Sequence, residues 1–240
     1  MSDVQRALAG DSAALAALNA ALQPLKAAER VQFALQQLPA THVLSSSFGA
    51  QAAVALHLVT RLAPQIPVIL IDTGYLFPET YRFVDELRES LDLNLHIRRP
   101  DLSPGWLEAR HGRLWEDGID GIERYNDLVK VEPMQQALRA HEAGTWISGL
   151  RRVQSPSRAR VKLLEVRDGR FKLHPLADWT DRDVGSYLKR QRLPYHPLWE
   201  KGYVSIGDWH TTRSLSEAGD ARLTRFGGLK RECGLHGLDG

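Results

Sequence analysis

Cys233 is the only cysteine in the chain, and it sits in the stretch KRECGLHG, Lys230 to Gly237, with glycines also at 227, 228 and 234. A lone thiol in such a setting has two readings. One is a small buried hydrophobe, since free cysteine is among the most buried residue types. The other is a nucleophile on a mobile arm, and the glycines on both sides argue against a packed core position. The spacing Cys233-Gly-Leu-His236 is ligand-like, but the other histidines are scattered and no second pair accompanies it. One cysteine excludes an intramolecular disulfide and any cysteine-cluster site, so no metal is expected here.

Three other stretches carry groups that bind anions or nucleotides. Ser45, Ser46, Ser47, Phe48 and Gly49 stand between a short β-prone run and a helical pattern. Backbone N–H groups at a helix start, with hydroxyls beside them, make an anion site, although serines also cap helices for structural reasons alone. The stretch is neither GxxxxGK[ST] nor GxGxxG. Asp72, Thr73 and Gly74 follow an apolar run, where open α/β sheets place ligand contacts. The competing reading is a tight turn with Gly74 at positive φ. The triplet occurs once and in a parallel-sheet context, so an aspartic protease site is excluded. Gly149 opens the stretch GLRRVQSPSR, in which Arg151, Arg152 and Arg158 offer bidentate forks suited to phosphate or sulfate. A serine-rich, an acidic and an arginine-rich loop, all at strand ends, describe the surroundings of a polyanionic nucleotide.

The elements that position these loops follow from the apolar pattern. His42–Ser45 and the continuous apolar run Val68–Ile71 read as strands on either side of a helix over Ala50–Leu62, which Pro64 stops. A strand–helix–strand unit in one sheet implies parallel strands. Pro78 opens a helix over Glu79–Leu91, and Leu93–Ile97 reads as a further strand. Gly105–His141 is helix-rich, and Trp146–Gly149 is a strand leading into the arginines. The alternation in VKLLEVRDGRFKLHPL around Asp168-Gly169 predicts a hairpin or paired edge strands. Thr180 is a cap for the following helix. The first forty residues read as alanine- and leucine-rich helices broken near Pro24 and Pro39, and regular periodicity fades after Pro194. The expected architecture is an α/β fold with a doubly wound, mostly parallel sheet: a helical segment over 1–40, a nucleotide-binding α/β domain over 41–215, and a loop-rich tail over 216–240 that carries the cysteine.

At 240 residues with a formal net charge of +2, the chain is large enough to bury a core without disulfide or metal staples. The balance of charge does not by itself imply nucleic-acid binding. The N-terminus lacks the apolar run of a signal peptide and nothing approaches a membrane span, so a cytoplasmic protein is expected, in keeping with the low cysteine usage. The basic residues are concentrated at Arg151, Arg152, Arg158, Arg160 and Lys162, and again at Arg222, Arg225, Lys230 and Arg231.

The stretches SSSFGAQAAV, IDTGYLFPETYRF, ERYNDLVKVEPM, GLRRVQSPSR, YHPLW and KRECGLH, in that order from about Leu44 to His236, closely resemble the phosphoadenylyl sulfate (PAPS) reductases of assimilatory sulfate reduction. These belong to the adenosine-nucleotide α-hydrolase-like group that includes the ATP pyrophosphatases. The resemblance implies a sheet carrying the nucleotide at its C-terminal edge. Ser45 to Gly49 would hold phosphate, and Asp72, Thr73 and Gly74 would line the adenosine side. Arg151, Arg152 and Arg158 would face the substrate. Lys130, Arg222 and Arg225 match basic positions that bind the phosphosulfate, and Cys233 matches the nucleophile within ECGLH. The thiolate would attack the sulfate sulfur, giving adenosine 3′,5′-bisphosphate and an S-sulfocysteine. A thiol of ordinary pKa, about 8.5, is only slightly ionised at neutral pH. Lys230 and Arg231, and His236 if it folds back, would favour the anion, and Glu232 would oppose it. The chain has no second cysteine to release sulfite, so the resolving thiol must come from outside, which in the family is thioredoxin or glutaredoxin. A homodimer is the family's common form.

Relatives that reduce adenylyl sulfate carry an iron–sulfur cluster on two further cysteine pairs. Here those positions fall at Tyr125-Asn126 and at Asp208 and Thr211, so no cluster is expected, and by family association the substrate is PAPS. Two other classes remain to be weighed. An ATP pyrophosphatase-type adenylating enzyme usually shows an SGGxDS loop, which SSSFGA lacks. A nucleotide- or RNA-binding module would use the basic loops without chemistry, which the small net charge and the cysteine tail count against.

Overall fold

The computed structural model describes residues 1–230 and Leu235; Cys233 and His236 lie outside the described residues. Its centre is a six-stranded sheet of β1 (His42–Ser45), β2 (Val68–Ile71), β3 (Leu95–Arg98), β4 (Thr145–Ser148), β5 (Leu164–Arg167) and β6 (Arg170–Leu173). The spatial order is β3-β2-β1-β4-β6-β5. All neighbours are parallel except the β5–β6 hairpin at one edge. The hairpin turns at Asp168 (φ 51°) and Gly169 (φ 72°), a pair of left-handed residues that fits the right-handed twist of the flanking strands.

Both faces of the sheet are covered, and the strands show it residue by residue. Leu44, Val68, Leu70 and Ile147 point into the principal core, whereas Val43, Ile69, Ile71 and Trp146 join a second cluster on the opposite face. Burial on both faces is why β2 reads as an unbroken apolar run. The principal core is closed by α1 (Asp3–Leu8), α2 (Ser12–Leu22), α3 (Ala27–Gln37), α4 (Ala52–Thr60), α5 (Pro78–Ser90) and α9 (Asp181–Gln191). The N-terminal helices are tied down by polar bonds as well. Asn19 exchanges two hydrogen bonds with the backbone of Leu164, and the buried Arg30 forms a two-pronged pair with Asp178 at 2.7 Å. α8 (Glu132–Ala140) packs Met134, Ala137 and Leu138 on the second face.

Between β3 and β4 the chain runs through α6 (Pro104–His111), α7 (Gly118–Asn126) and α8, with a π-helical turn at Asp127–Val131 joining the last two. This segment encloses a third apolar cluster of Tyr75, Leu107, Leu114, Ile122, Tyr125, Val129 and Phe226. Past α9, α10 (Leu215–Ala218) is a single turn among short 3-10 turns. Among the described residues no helix is long and apolar enough to cross a membrane.

The strand order reverses at β1. The chain steps outward from β1 to β2 and β3, then returns to place β4 on the other flank of β1. Such a reversal opens a crevice at the carboxyl ends of the two central strands. Ser45 and Ser148 are paired in register at those ends, so the serine loop and the arginine loop flank the crevice.

Candidate active site

The loop after β1 is fixed from below. The Ser46 N–H donates to Ile69 O, and the Trp146 indole N–H donates to Ser45 Oγ at 2.7 Å. Phe48 adopts a left-handed conformation (φ 50°), with its N–H on Ser46 Oγ at 3.1 Å and its ring wholly buried in the principal core. A bulky residue there is uncommon, and burial of its ring is what holds the turn. The loop leads into α4 with Ser45 and Ser46 partly buried and Ser47 exposed.

At the end of β2, Asp72 accepts from the Gly74 N–H (3.0 Å), from Tyr81 Oη (2.7 Å) and from Arg99 Nε (2.9 Å). Burial together with the hydrogen bond to Asp72 raises the Tyr81 pKa. Gly74 has φ 77°, and a Cβ on it would overlap Pro104, so the tight turn read in the sequence is present. Thr73 points the other way and donates to Asp208 Oδ1 at 2.5 Å.

Asp208 is the node of a buried polar centre. Its side chain is 0% exposed, and Oδ2 takes the Lys130 ammonium at 2.6 Å and the Tyr125 hydroxyl at 3.0 Å. Burial alone would raise its pKa; Lys130, Thr73 and Arg225 outweigh that and hold it at about 2. It is an anion throughout the physiological range. Lys130 also donates to Asn126 Oδ1 at 3.0 Å, and its ammonium lies 5.1 Å from the Tyr125 ring centre. The π-helical turn that contains Lys130 carries it to this point. Burial and the Asp208 charge push the Tyr125 hydroxyl far above its ordinary pKa. His210 lies tilted against Trp115 at 3.9 Å and edge-on to Tyr75 at 4.6 Å, centroid to centroid. Burial lowers its pKa to about 4, so it is neutral. Beside this centre a cavity of about 460 Å³ is lined by Glu108, Trp115, Trp209, His210, Arg213 and Phe226, among others.

The arginine loop is built differently. Arg151, 4% exposed, donates to Gln51 Oε1 (2.6 Å), to Asp181 Oδ1 (2.9 Å) and to Trp179 O. Arg152 Nε donates to Val161 O at 2.7 Å, and Arg158 to Gln154 Oε1 at 2.6 Å. Gly149 meets Ala55 of α4 so closely that a Cβ would overlap it. Arg222 lies at the surface, its side chain 77% exposed and paired with Asp220. Thus the structure brings together Thr73, Lys130 and Arg225 around Asp208, and sets Ser45–Gly49 beside the arginine loop across the crevice. Arg222 joins neither group. Leu235 packs on Trp146 and Met134, and its carbonyl accepts from Lys172 Nζ at 2.9 Å.

The Phosphoadenosine phosphosulfate reductase domain family matches residues 41–214. The chain belongs to the phosphoadenosine phosphosulfate reductase family. A PAPS reductase from Alteromonas mediterranea is 60% identical over 223 residues, 93% of this chain and 90% of that protein. Among solved structures, PAPS reductase from Candida auris in a phosphate complex superposes with a TM-score of 0.73 at 31% identity, over 84% of this chain and 97% of that one. Candida glabrata FMN adenylyltransferase, at 18% identity and TM-score 0.58 over 80% of this chain and 64% of its own, shares the fold. Family membership makes the protein an oxidoreductase, with the α/β fold expected from its sequence.

Against the PAPS reductase frame, four positions gain meaning. Tyr125, Asn126, Asp208 and Thr211, where the sequence comparison placed the cysteine pairs of cluster-bearing relatives, converge in space. Tyr125 bonds to Asp208, the Thr211 N–H donates to Asp208 O, and Asn126 meets Lys130. Among the described residues no group of three or more His, Cys, Asp or Glu is arranged to hold a metal. Asp208 itself was not singled out in the sequence as a site residue. Besides its place at a cluster position of relatives, its signal is a solitary acid in SIGDWHTT, a stretch otherwise without formal charge.

Proposed function

We propose that the protein reduces 3′-phosphoadenylyl sulfate to sulfite and adenosine 3′,5′-bisphosphate. The Cys233 thiolate attacks the sulfate sulfur; an S–S bond forms, the S–O bond to the phosphate breaks, and the bisphosphate leaves with the electron pair. A thiolate of reduced thioredoxin or glutaredoxin then attacks Sγ of the S-sulfocysteine and expels sulfite. The second thiol of that partner closes its own disulfide and returns Cys233 as thiolate. The two electrons come from the external dithiol, so no resident cofactor takes part, and the four positions used for a cluster elsewhere carry side chains that cannot serve it.

The observation that carries this reading is the Thr73–Asp208–Lys130 connection. It hangs a buried cation on the end of β2, beside the serine loop of β1, at the edge where a parallel sheet receives nucleotides. In this reading Ser45–Gly49 serve the phosphates together with the arginine loop of Arg152 and Arg158, whose shape Arg151 holds. Asp72 to Gly74 serve the adenosine, and Lys130 and Arg225 the phosphosulfate, with Arg222 at the surface reaching it only from outside. An anionic nucleophile approaching an anionic substrate needs such cations, because they offset the charge that builds up as the bond forms.

Mass spectrometry of the protein after exposure to PAPS without reductant tests the reading directly. A sulfo adduct confined to Cys233 is expected. Cys233→Ser should form none and release no sulfite while still binding the nucleotide; turnover in that variant refutes the mechanism.

A further inference from the structure

We infer that Gly207 and Asp208 form a cradle that holds Lys130 and Arg225 as a matched pair of cations, and that both cradle residues are positioning residues for the sulfate-bearing end of the substrate. The inference rests on the reaction proposed above.

Two cations share a narrow space here. The Lys130 ammonium and the Arg225 guanidinium each lie 5.6 Å from the centre of the Phe226 ring. Both act electrostatically on Asp208. Like charges in a poorly solvated setting repel strongly unless an anion sits with them. Asp208 is that anion, and it is anchored from two other elements, by Thr73 from the end of β2 and by Tyr125 from α7. His210 is neutral, and the charge of Glu108, which accepts from the Tyr75 hydroxyl at 2.8 Å, is offset by Arg113 at 3.9 Å. One carboxylate thus faces two cations, which leaves an excess of positive charge. Donors remain over as well: Arg225 Nε and Asn126 Nδ2 are buried without a partner. Buried donors are ordinarily satisfied, so an oxyanion is the complement this arrangement lacks.

Gly207 supplies the second half of the cradle. Its φ is not among the left-handed values, so its backbone conformation does not call for glycine. What calls for it is the absence of a side chain: a Cβ there would overlap Cζ and both terminal nitrogens of Arg225. The guanidinium rests against the bare backbone at 207, one residue from the carboxylate that balances Lys130. A single dipeptide therefore locates both cations, one by contact and one by charge.

Gly207→Ala is the decisive variant. The three atoms nearest the added methyl all belong to the movable end of a flexible side chain, so the fold should survive with an unchanged melting temperature while Arg225 is displaced. The rate of sulfo-adduct formation on Cys233 at saturating PAPS, without reductant, should fall between about ten- and a hundredfold, the scale of a displaced catalytic contact. Gly207→Ala combined with Arg225→Met should be no slower than Arg225→Met alone. Likewise Asp208→Asn combined with Lys130→Met should be no slower than Lys130→Met alone, and removing both buried charges should recover stability that Asp208→Asn loses. A wild-type rate in Gly207→Ala, or losses that multiply in the double variants, would overturn the cradle. Affinity for inorganic sulfate, measured by calorimetry, separates this from the reaction itself. If the wild type forms no adduct, the reaction is wrong, and the cradle is then judged by sulfate alone: weaker binding in Gly207→Ala supports it and equal binding refutes it.

Discussion

On the loop after β4, Arg151 makes three bonds to Gln51, Asp181 and Trp179, and Arg152 is bonded to Val161 O. Around Asp208, one carboxylate serves Lys130 and Arg225 together, and buried donors stay unpartnered. The arginine loop uses its charge to join the β4 end to α4 and α9. The Asp208 centre keeps charge in excess of its internal needs. A cation fully used by the fold shapes a site, whereas one left in surplus has something to offer a ligand.

Two histidines divide in the same way. His196 accepts from the Leu198 N–H on Nδ1, which leaves Nε2 protonated and donating to Thr80 Oγ1 at 3.0 Å, and its backbone N–H holds Ala50 O beneath the serine loop. His210 has neither ring nitrogen bonded.

Substitutions can break or sharpen this contrast. Lys130→Met should have the largest effect, a loss of adduct formation of about a hundredfold or more, because a preorganised positive charge is removed. Arg151→Met should instead lower stability by about 1 kcal/mol, the net worth of hydrogen bonds to partly exposed partners, with a smaller loss of rate; denaturant unfolding and the adduct assay together decide. If Arg151→Met matched Lys130→Met in rate at full stability, the contrast would fail.

Acid should come next. Burial lowers the pKa of both His196 and His210 to about 4, so between pH 6.5 and 4 the unfolded chain binds more protons than the folded one. Stability is complete above that window and falls as pH falls through it. For the fully buried His196 the loss at pH 5 is about 2 kcal/mol. The difference in urea unfolding between pH 7 and pH 5 should shrink by that amount in His196→Gln, and an unchanged difference would count against it. The smallest effect is expected at the surface. Arg222→Ala, which removes an exposed pair with Asp220, should leave the unfolding midpoint unmoved and slow the reaction less than Arg225→Ala does.

Much of the scaffold was legible because it is written in local pattern. Val68–Ile71 matches β2 residue for residue, Thr180 caps α9 through the Asp183 N–H, and Asp168-Gly169 turns the hairpin. Boundaries moved by a residue or two: the third strand runs Leu95–Arg98, and α4 runs Ala52–Thr60. The break between α1 and α2 at Gly10 went unread, and so did the π-helical turn that presents Lys130. Asp208 and Gly207 were illegible for a physical reason. Their environment is assembled from positions 73, 125, 130 and 225, far apart in sequence, and a charge is buried only where distant partners stabilise it. Lys130 and Arg225 were found through family resemblance, which reports which residue matters without reporting what holds it.

The order of strands in the sheet bears on how the chain is made. β1 finds β2 some twenty-five residues later, but its other neighbour, β4, is about a hundred residues downstream. Synthesis from the N-terminus therefore leaves the middle of the sheet half-paired until most of the protein has left the ribosome. Through that interval Val43 and its neighbours expose an apolar edge, the condition under which nascent chains recruit chaperones or aggregate. Only after β4 docks is there a crevice at all.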